Sequence, residues 1–347
     1  MPDKPLLPLA FQHPDINCDR PITVLAGDVG GTKTNMAMYR ADVNGITQLR
    51  EARYTSHEYT SLTEIIVHFT GTEWPDRICM AVAGPVLHGK VSLTNLLWQL
   101  DSNAMSIALK VPVAFLNDLE ANAYGLAGLH GNELATINSG NARSPGNTGN
   151  IAIIAAGTGL GEAGMYFDGK RYHPFPTEGG HCDFAPRTET DVSLWRFLEQ
   201  QNEHVSWERI LSGPGIQAIF QFLTTVERRP VHAWLQEQLL EDDPAAVISN
   251  SAQHRQEPVC IETLQSFSRY LAMEAANLVL KLKAIGGCYL SGGIAPKVLS
   301  FLQTGQWYNY FIDTGRMKPL LSLVPVYVIL NSKTPLLGAA YYGAYSM

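Results

Sequence analysis

Asp28-Val29-Gly30-Gly31-Thr32-Lys33-Thr34 decides how this chain is read. The apolar run Ile22 to Ala26 precedes it and the alternating run Asn35 to Tyr39 follows, so the glycines sit where one strand turns back into another. A two-glycine turn lets backbone N–H groups converge without obstruction by Cβ, and converging N–H groups cradle phosphate oxygens. Asp28, just before the turn, is placed to hold a hydrated Mg2+, and Thr32 and Lys33 add donors. A glycine hairpin with no ligand has the same pattern, so the stretch alone leaves both readings open.

The pattern returns roughly 130 residues later. Ile151 to Ala156 is an apolar strand, Gly157-Thr158-Gly159-Leu160-Gly161 a turn, and Ala163 to Phe167 a second strand, which reads as a weak internal duplication. Between the copies, Ile46 to Thr55, Ile78 to Ala83 and Val113 to Leu116 read as strands, and Leu62 to Thr70 and Leu119 to Leu129 as helices. Asn138 to Asn150 is a low-complexity loop. Later segments are mostly helical: Val192 to Gln200, Ile216 to Val226, Val231 to Leu240, Ile261 to Ile285 and Pro335 to Tyr345. Cys288 to Leu290 and Val324 to Leu330 are the late strands.

The 347 residues suffice for two domains. A hydrophobic content of 46% with 16% charged residues predicts a large core rather than disorder. The net charge of -7 argues against a nucleic-acid partner and for a small molecule whose charge is handled locally. The five cysteines are scattered without a C-x-x-C, which predicts a reducing, cytoplasmic setting and neither a disulfide framework nor a thiolate zinc site. No apolar run approaches the ~18 residues of a membrane-spanning helix. Met1 to Pro21 is proline-rich, lacks the pattern of a signal peptide and reads as an irregular extension.

Two phosphate-loop patterns do not hold. Gly159 to Gly164 matches G-x-G-x-x-G, but Met165 to Lys170 reads as strand and turn where a dinucleotide site needs a helix. Gly84 to Val91 resembles a Walker loop, yet Val91 stands where the metal-binding hydroxyl belongs.

Four clusters carry the remaining chemistry. Asn117-Asp118 ends a strand before a helix, where open α/β sheets place ligands; Asp118 reads either as the cap of that helix or as a base beside a polyol-binding asparagine. Glu178-Gly179-Gly180-His181 lets a carboxylate and an imidazole turn toward one point and bond hydroxyls. Ser206 to Gly215 places Glu208 in the first turn of a short helix capped by Ser206, followed by a tight Ser-Gly-Pro-Gly bend suited to a flat ligand. Ser291-Gly292-Gly293-Ile294 runs from strand through two glycines into a helix start, with backbone donors for a nucleotide.

Gly27 to Thr32, Asn117-Asp118, Ala156 to Gly161, Glu178 to Pro186, Glu208 to Gly215 and Ser291 to Pro296 occur in the order found in bacterial-type glucokinases, so the chain from Ile22 onward resembles that family of the actin-like ATPase superfamily. The resemblance implies an α/β, two-domain actin-like (ribonuclease H-like) fold with a cleft between a smaller N-terminal and a larger C-terminal domain. The expected division is 22–117 plus 335–347 against 118–334, with 1–21 as the extension. It implies ATP-dependent phosphorylation of glucose at the 6-hydroxyl, with Asp118 as general base. It implies Asn117, Asp118, Glu178, His181 and Glu208 as hexose ligands. Gly27, Asp28, Val29, Gly30, Gly31, Thr32, Thr158 and Gly159 would bind the ATP phosphates, and Gly213, Gly292 and Gly293 would flank the adenosine. Asp28 would meet Mg2+ through water. A homodimer is implied, and zinc is not expected, since only Cys182 follows the glycine-histidine segment. Thr177, Cys182 and Lys33 depart from the usual pattern. A kinase for another hexose or amino sugar, a non-catalytic sugar sensor and an actin-like assembly protein are the rivals. An intact Asp118 and two phosphate turns argue against the sensor, and the sugar-type cluster argues against the assembly protein.

Overall fold

A computed structural model describes residues 7–11, 20–42, 45–93, 96, 98–140 and 149–347. Most of the proline-rich extension and of the low-complexity loop therefore lies outside the described residues.

The first sheet is built around the Asp28 turn. β1 (Ile22–Val29), β2 (Lys33–Asp42) and β3 (Gly45–Thr55) form an antiparallel meander. β4 (Arg77–Val82) joins β1 in parallel; a small hairpin, β5 (Lys90–Ser92) with β6 (Gln99–Asp101), follows; β7 (Val113–Asn117) then joins β4 in parallel. The order is β3-β2-β1-β4-β7. Ile78 to Val82 is wholly buried, as a strand covered on both faces must be. On one face, α1 (Leu62–Thr70) lays Leu62, Ile65, Ile66 and Phe69 into the core. Ser61 starts that helix by accepting the Glu64 N–H at 3.2 Å, a cap worth about 1 kcal/mol. α2 (Ser102–Leu109) starts in the same way on Asp101. α3 (Asp118–Gly125) follows β7 directly, and the closing helix Thr334–Tyr345 packs along α3, β1 and β4. The expected helix 119–129 thus ends at Gly125 and tightens into a 3-10 turn to Gly128. Of the N-terminal extension, Ala10 donates to the Tyr172 carbonyl at 2.9 Å and Phe11 packs on Tyr124, Tyr341 and Tyr345.

The second sheet contains β8 (Leu134–Asn138), β9 (Ile151–Ala156), β10 (Leu160–Phe167), β11 (Tyr172–Thr177), β12 (Gly287–Ser291) and β13 (Val326–Ile329), in the order β11-β10-β9-β12-β13-β8. Its first five strands repeat the sequence of neighbours seen in the first sheet, which extends the duplication suggested by the two glycine turns. The surrounding helices are α4 (Glu189–Glu199), α5 (Gly213–Thr225), α6 (Ala233–Glu241), α7 (Pro244–His254), α8 (Pro258–Leu282), α9 (Leu299–Leu302), α10 (Gly305–Ile312) and α11 (Lys318–Leu321), before the closing α12 (Thr334–Tyr345). α8 is the spine of this core. It buries Phe267, Leu271, Ala275 and Val279, and it stops where Lys283 turns into the left-handed region. Two expectations are corrected here. The glycines after Ser291 lead into a run of turns, with α9 starting only at Leu299. Ser206 makes no side-chain cap on the 3-10 turn that holds Glu208; its contribution is the carbonyl that accepts the Arg209 N–H.

Internal contacts group the chain into two compact units, one of Met1–Gly131, Met165–Pro176 and Asn331–Met347, the other of Asn132–Gly164 and Thr177–Leu330. The boundary anticipated at Asp118 falls inside the first unit, because α3 packs along α12. No helix among the described residues is long and apolar enough to cross a membrane.

Candidate active site

In the first unit the site lies along one edge of the parallel strands. Asp28, Ala81 and Leu116 are in register, as are Val29, Val82 and Asn117. The phosphate-type turn and the Asn117-Asp118 pair therefore share the carboxyl edge of the sheet, two strand spacings or about 10 Å apart.

Gly30 closes the turn by donating its N–H to the Lys33 carbonyl at 3.0 Å. One residue outside every sequence motif pins this loop. Ser56 is fully buried at the end of β3; its hydroxyl donates to the Gly30 carbonyl at 2.9 Å and pairs with the Thr34 hydroxyl at 3.0 Å, and its N–H donates to the Thr32 carbonyl at 2.9 Å. Three bonds from one side chain and its backbone fix the loop that would face the phosphates.

Asp28 sits opposite Asn35, whose amide donates to Oδ2 at 3.2 Å. Burial pushes the Asp28 carboxyl above its ordinary range, and the Asn35 bond only partly offsets this. A desolvated oxygen with a neutral partner suits a hard cation that keeps most of its water. Among the described residues no group of three or more His, Cys, Asp or Glu could hold a metal, so a cage made of protein ligands alone is not built here.

Asn117 and Asp118 divide the work at the β7–α3 junction. The Asn117 Oδ1 caps α3, accepting from Leu119 at 2.9 Å and Glu120 at 3.3 Å, and its amide donates to the Gly84 carbonyl at 3.2 Å. Capping is thus mainly the asparagine's task, although Asp118 Oδ1 also accepts from Leu119 at 3.0 Å. Of the Asn117 side chain, one amide N–H is left over for a ligand.

In the second unit, Glu178, His181 and Glu208 come together. His181 Nδ1 lies 3.9 Å from Glu178 Oε2, and its Nε2 lies 4.0 Å from Glu208 Oε1. Backbone bonds stitch the two segments side by side: Trp207 donates to the Cys182 carbonyl at 3.0 Å and Phe184 to the Val205 carbonyl at 2.9 Å. The second oxygen of Glu208 accepts the Leu160 N–H at 2.9 Å and lies across Gly159. The sugar-type carboxylate thereby also holds the second glycine turn. Gly179 must be glycine for lack of room, since a Cβ there would overlap the Glu162 carboxyl beneath it.

The expected nucleotide turns also meet. Gly213 donates to the Gly157 carbonyl at 2.9 Å and Ile294 to the Ala156 carbonyl at 3.1 Å. Gly292 has φ 84° and presses on the Ala156 backbone, a position only glycine fills without strain. Thr158, Gly213 and Gly293 line one cavity of about 730 Å³, large enough for a nucleoside. Asp243 at the N-cap of α7, Ser249 and Asn250 of α7, and Lys297 also line it, outside every motif of the sequence. Asp243-Pro244 was the available signal, an N-cap followed by proline in the first helical turn.

The glucokinase family model matches residues 25–345. A glucokinase of Nostoc punctiforme is 38% identical over 339 residues, covering 92% of this chain and 98% of its own. The crystal structure of a glucokinase from an Antarctic psychrotroph superposes with a TM-score of 0.79 at 31% identity, covering 92% of this chain and 98% of its own. The glucokinase of Balamuthia mandrillaris, solved in complex with glucose, shares the fold at a TM-score of 0.76 and 19% identity, over 95% of each chain.

Proposed function

Since the chain belongs to the glucokinase family, with the α/β fold of the actin-like ATPases, it phosphorylates glucose at the expense of ATP, and we propose that Asp118 is the base that takes the proton from the 6-hydroxyl. The observation that carries this reading is the shared strand edge. Asp118 stands two strands from the glycine turn, while Asn117 carries most of the capping of α3.

A sugar hydroxyl is a weak nucleophile, and a carboxylate within hydrogen-bond reach takes up its proton as the phosphoryl group moves. Most of the acceleration comes from holding the two substrates in place. Asp118, Glu178, His181, Glu208 and the spare amide N–H of Asn117 bind the hexose hydroxyls, so that an epimer leaves one of these groups unpaired. Gly27 to Thr32 and Thr158-Gly159 take the ATP phosphates. The cavity flanked by Gly213, Gly292 and Gly293 takes the adenosine. Asp28 would hold Mg2+ through water, and that ion would supply charge neutralisation on the phosphates. A homodimer and a cytoplasmic location complete the proposal. The thiols of Cys79, Cys182, Cys260 and Cys288, all free, support the second of these.

The experiment is ADP release coupled to a reporter, with ATP and Mg2+, over a panel of glucose, mannose, fructose and glucosamine. The reading requires glucose to give the highest kcat/KM. Mannose, fructose or glucosamine ahead of glucose would replace it with a kinase for that sugar.

A further inference from the structure

Beneath the Glu178–His181 turn lies a carboxyl that the mechanism above does not use. Glu162 of β10 is 1% exposed, and neither of its oxygens receives a hydrogen bond from a described donor. Its neighbour Glu274 of α8 is equally buried but well supplied: Asn277 donates to it at 2.8 Å and Lys281 at 3.3 Å. Glu162 faces Glu274, and two carboxyls this close avoid repulsion only if one of them carries the proton. Burial first, and then the Glu274 charge, push the Glu162 carboxyl above its ordinary range, against the pull of Lys281. The other ionisable groups facing this pair are the buried Cys288 thiol of β12 and, beside Lys281, Cys182.

We infer that Glu162 is a positioning residue whose neutral carboxyl supports the Glu178–His181 turn in its sugar-binding shape, and that loss of its proton weakens glucose binding. The geometry is specific. The Glu162 carboxyl lies directly under Gly179, and the Glu162 carbonyl accepts the Thr177 hydroxyl at 3.1 Å. That hydroxyl in turn accepts the Gly179 N–H at 3.2 Å and sets the start of the turn. A Glu162 carboxylate has no described hydrogen-bond donor, and it presses on Gly179, where the turn begins. A buried charge without a donor is costly, and the turn relieves that cost by opening to admit one, at the expense of the Thr177–Gly179 bond. An ionised Glu162 would also add a second negative charge beside Glu274, with only Lys281 to balance the two.

The inference rests on Glu178 being a sugar ligand, and the test separates the two. Glucose KM and kcat are measured from about pH 6 to about pH 10 in the wild type, Glu162→Gln, Lys281→Met and Glu178→Ala, each also carrying Cys182→Ser to remove thiol ionisation. Glutamine keeps the donor toward Glu274 and does not titrate. The expected result is a wild-type KM that rises by up to about tenfold per pH unit on the alkaline side, with kcat changed less than about twofold. Glu162→Gln flattens that rise, and Lys281→Met moves its midpoint to higher pH. A wild-type KM that is flat over this range, or a rise that persists unchanged in Glu162→Gln, overturns the inference. An unchanged KM in Glu178→Ala would instead overturn the sugar-site reading on which it depends.

Discussion

Glu208 joins two parts of the second unit with one side chain: Oε2 accepts the Leu160 N–H at 2.9 Å, while Oε1 faces His181 Nε2 at 4.0 Å. Glu178 makes only the second kind of contact, 3.9 Å from His181 Nδ1. Truncating the two residues must then give different kinetics. Glu178→Ala raises glucose KM by about 10–100-fold, the cost of one or two hydrogen bonds to a charged group, and leaves ATP KM alone. Glu208→Ala raises glucose KM similarly and also raises ATP KM by at least about threefold, because the Thr158-Gly159 turn loses its brace. Identical profiles for the two variants would show that Glu208 does not support the nucleotide turn.

Ser56 makes the same kind of prediction for the first unit. Ser56→Ala deletes the bonds to the Gly30 carbonyl and the Thr34 hydroxyl, each worth about 1 kcal/mol, but keeps the backbone bond to Thr32. The fold survives, the Gly30 to Lys33 loop loosens, and ATP KM rises by about 3–10-fold with glucose KM unchanged. Steady-state kinetics with each substrate varied in turn check this. An unaltered ATP KM would remove Ser56 from the phosphate site.

Asp191 serves stability rather than chemistry. It is fully buried, bonds Arg269 and the Tyr270 hydroxyl (3.0 Å), and accepts the N–H groups of Arg187 and Thr188 at 3.0 Å. Burial pushes its carboxyl up, but these partners outweigh burial and hold it below the ordinary range. Asp191→Ala leaves Arg269 unpaired and costs about 3–5 kcal/mol, so thermal melts should fall by on the order of 10 °C at neutral pH. Because the folded state depresses this carboxyl, its contribution is present above the ordinary carboxylate range and is lost as pH falls below it. The gap between wild type and variant narrows toward about pH 3. A Tm within about 2 °C of wild type at neutral pH would contradict this.

Glu120, two residues after Asp118, has the opposite sign. Burial pushes its carboxyl up to about 7. Its folded form favours the proton, so its stabilising contribution is present in acid and is lost as pH rises through about 7. Glu120→Gln is therefore more stable than wild type by about 2–3 kcal/mol at about pH 8, and the difference shrinks below about 1 kcal/mol by about pH 4. A difference of the same size at both pH values would refute the assignment.

The legible parts of the site were those held in contiguous residues. The Asp28 to Thr34 turn, Asn117-Asp118 and the Gly157 to Gly161 echo are each local: strand periodicity on one side, a glycine or a cap on the other. Ser56 was not legible, because its role exists only once β3 returns alongside β2 and brings it beside Gly30. Glu162 sat inside a glycine-rich pattern that was weighed for a different ligand; its burial follows from β10 being covered on both faces, which a single strand does not reveal. α7 is hard to read from sequence because the apolar pattern of α6 ends in Glu241-Asp242-Asp243, and three acidic residues resemble a loop unless Asp243-Pro244 is taken as a helix start. The helix expected after Gly293 failed for the converse reason: two glycines permit a helix start but equally permit the run of turns that occurs.

Asp118→Asn separates a base from a residue that only binds or caps, with glucose binding followed by calorimetry and turnover by ADP release. If Asp118 is the base, glucose Kd stays within about threefold of wild type and kcat falls by about 10²–10⁴-fold, since asparagine keeps the shape and the hydrogen bond but cannot accept the proton. A kcat within about tenfold of wild type would contradict it.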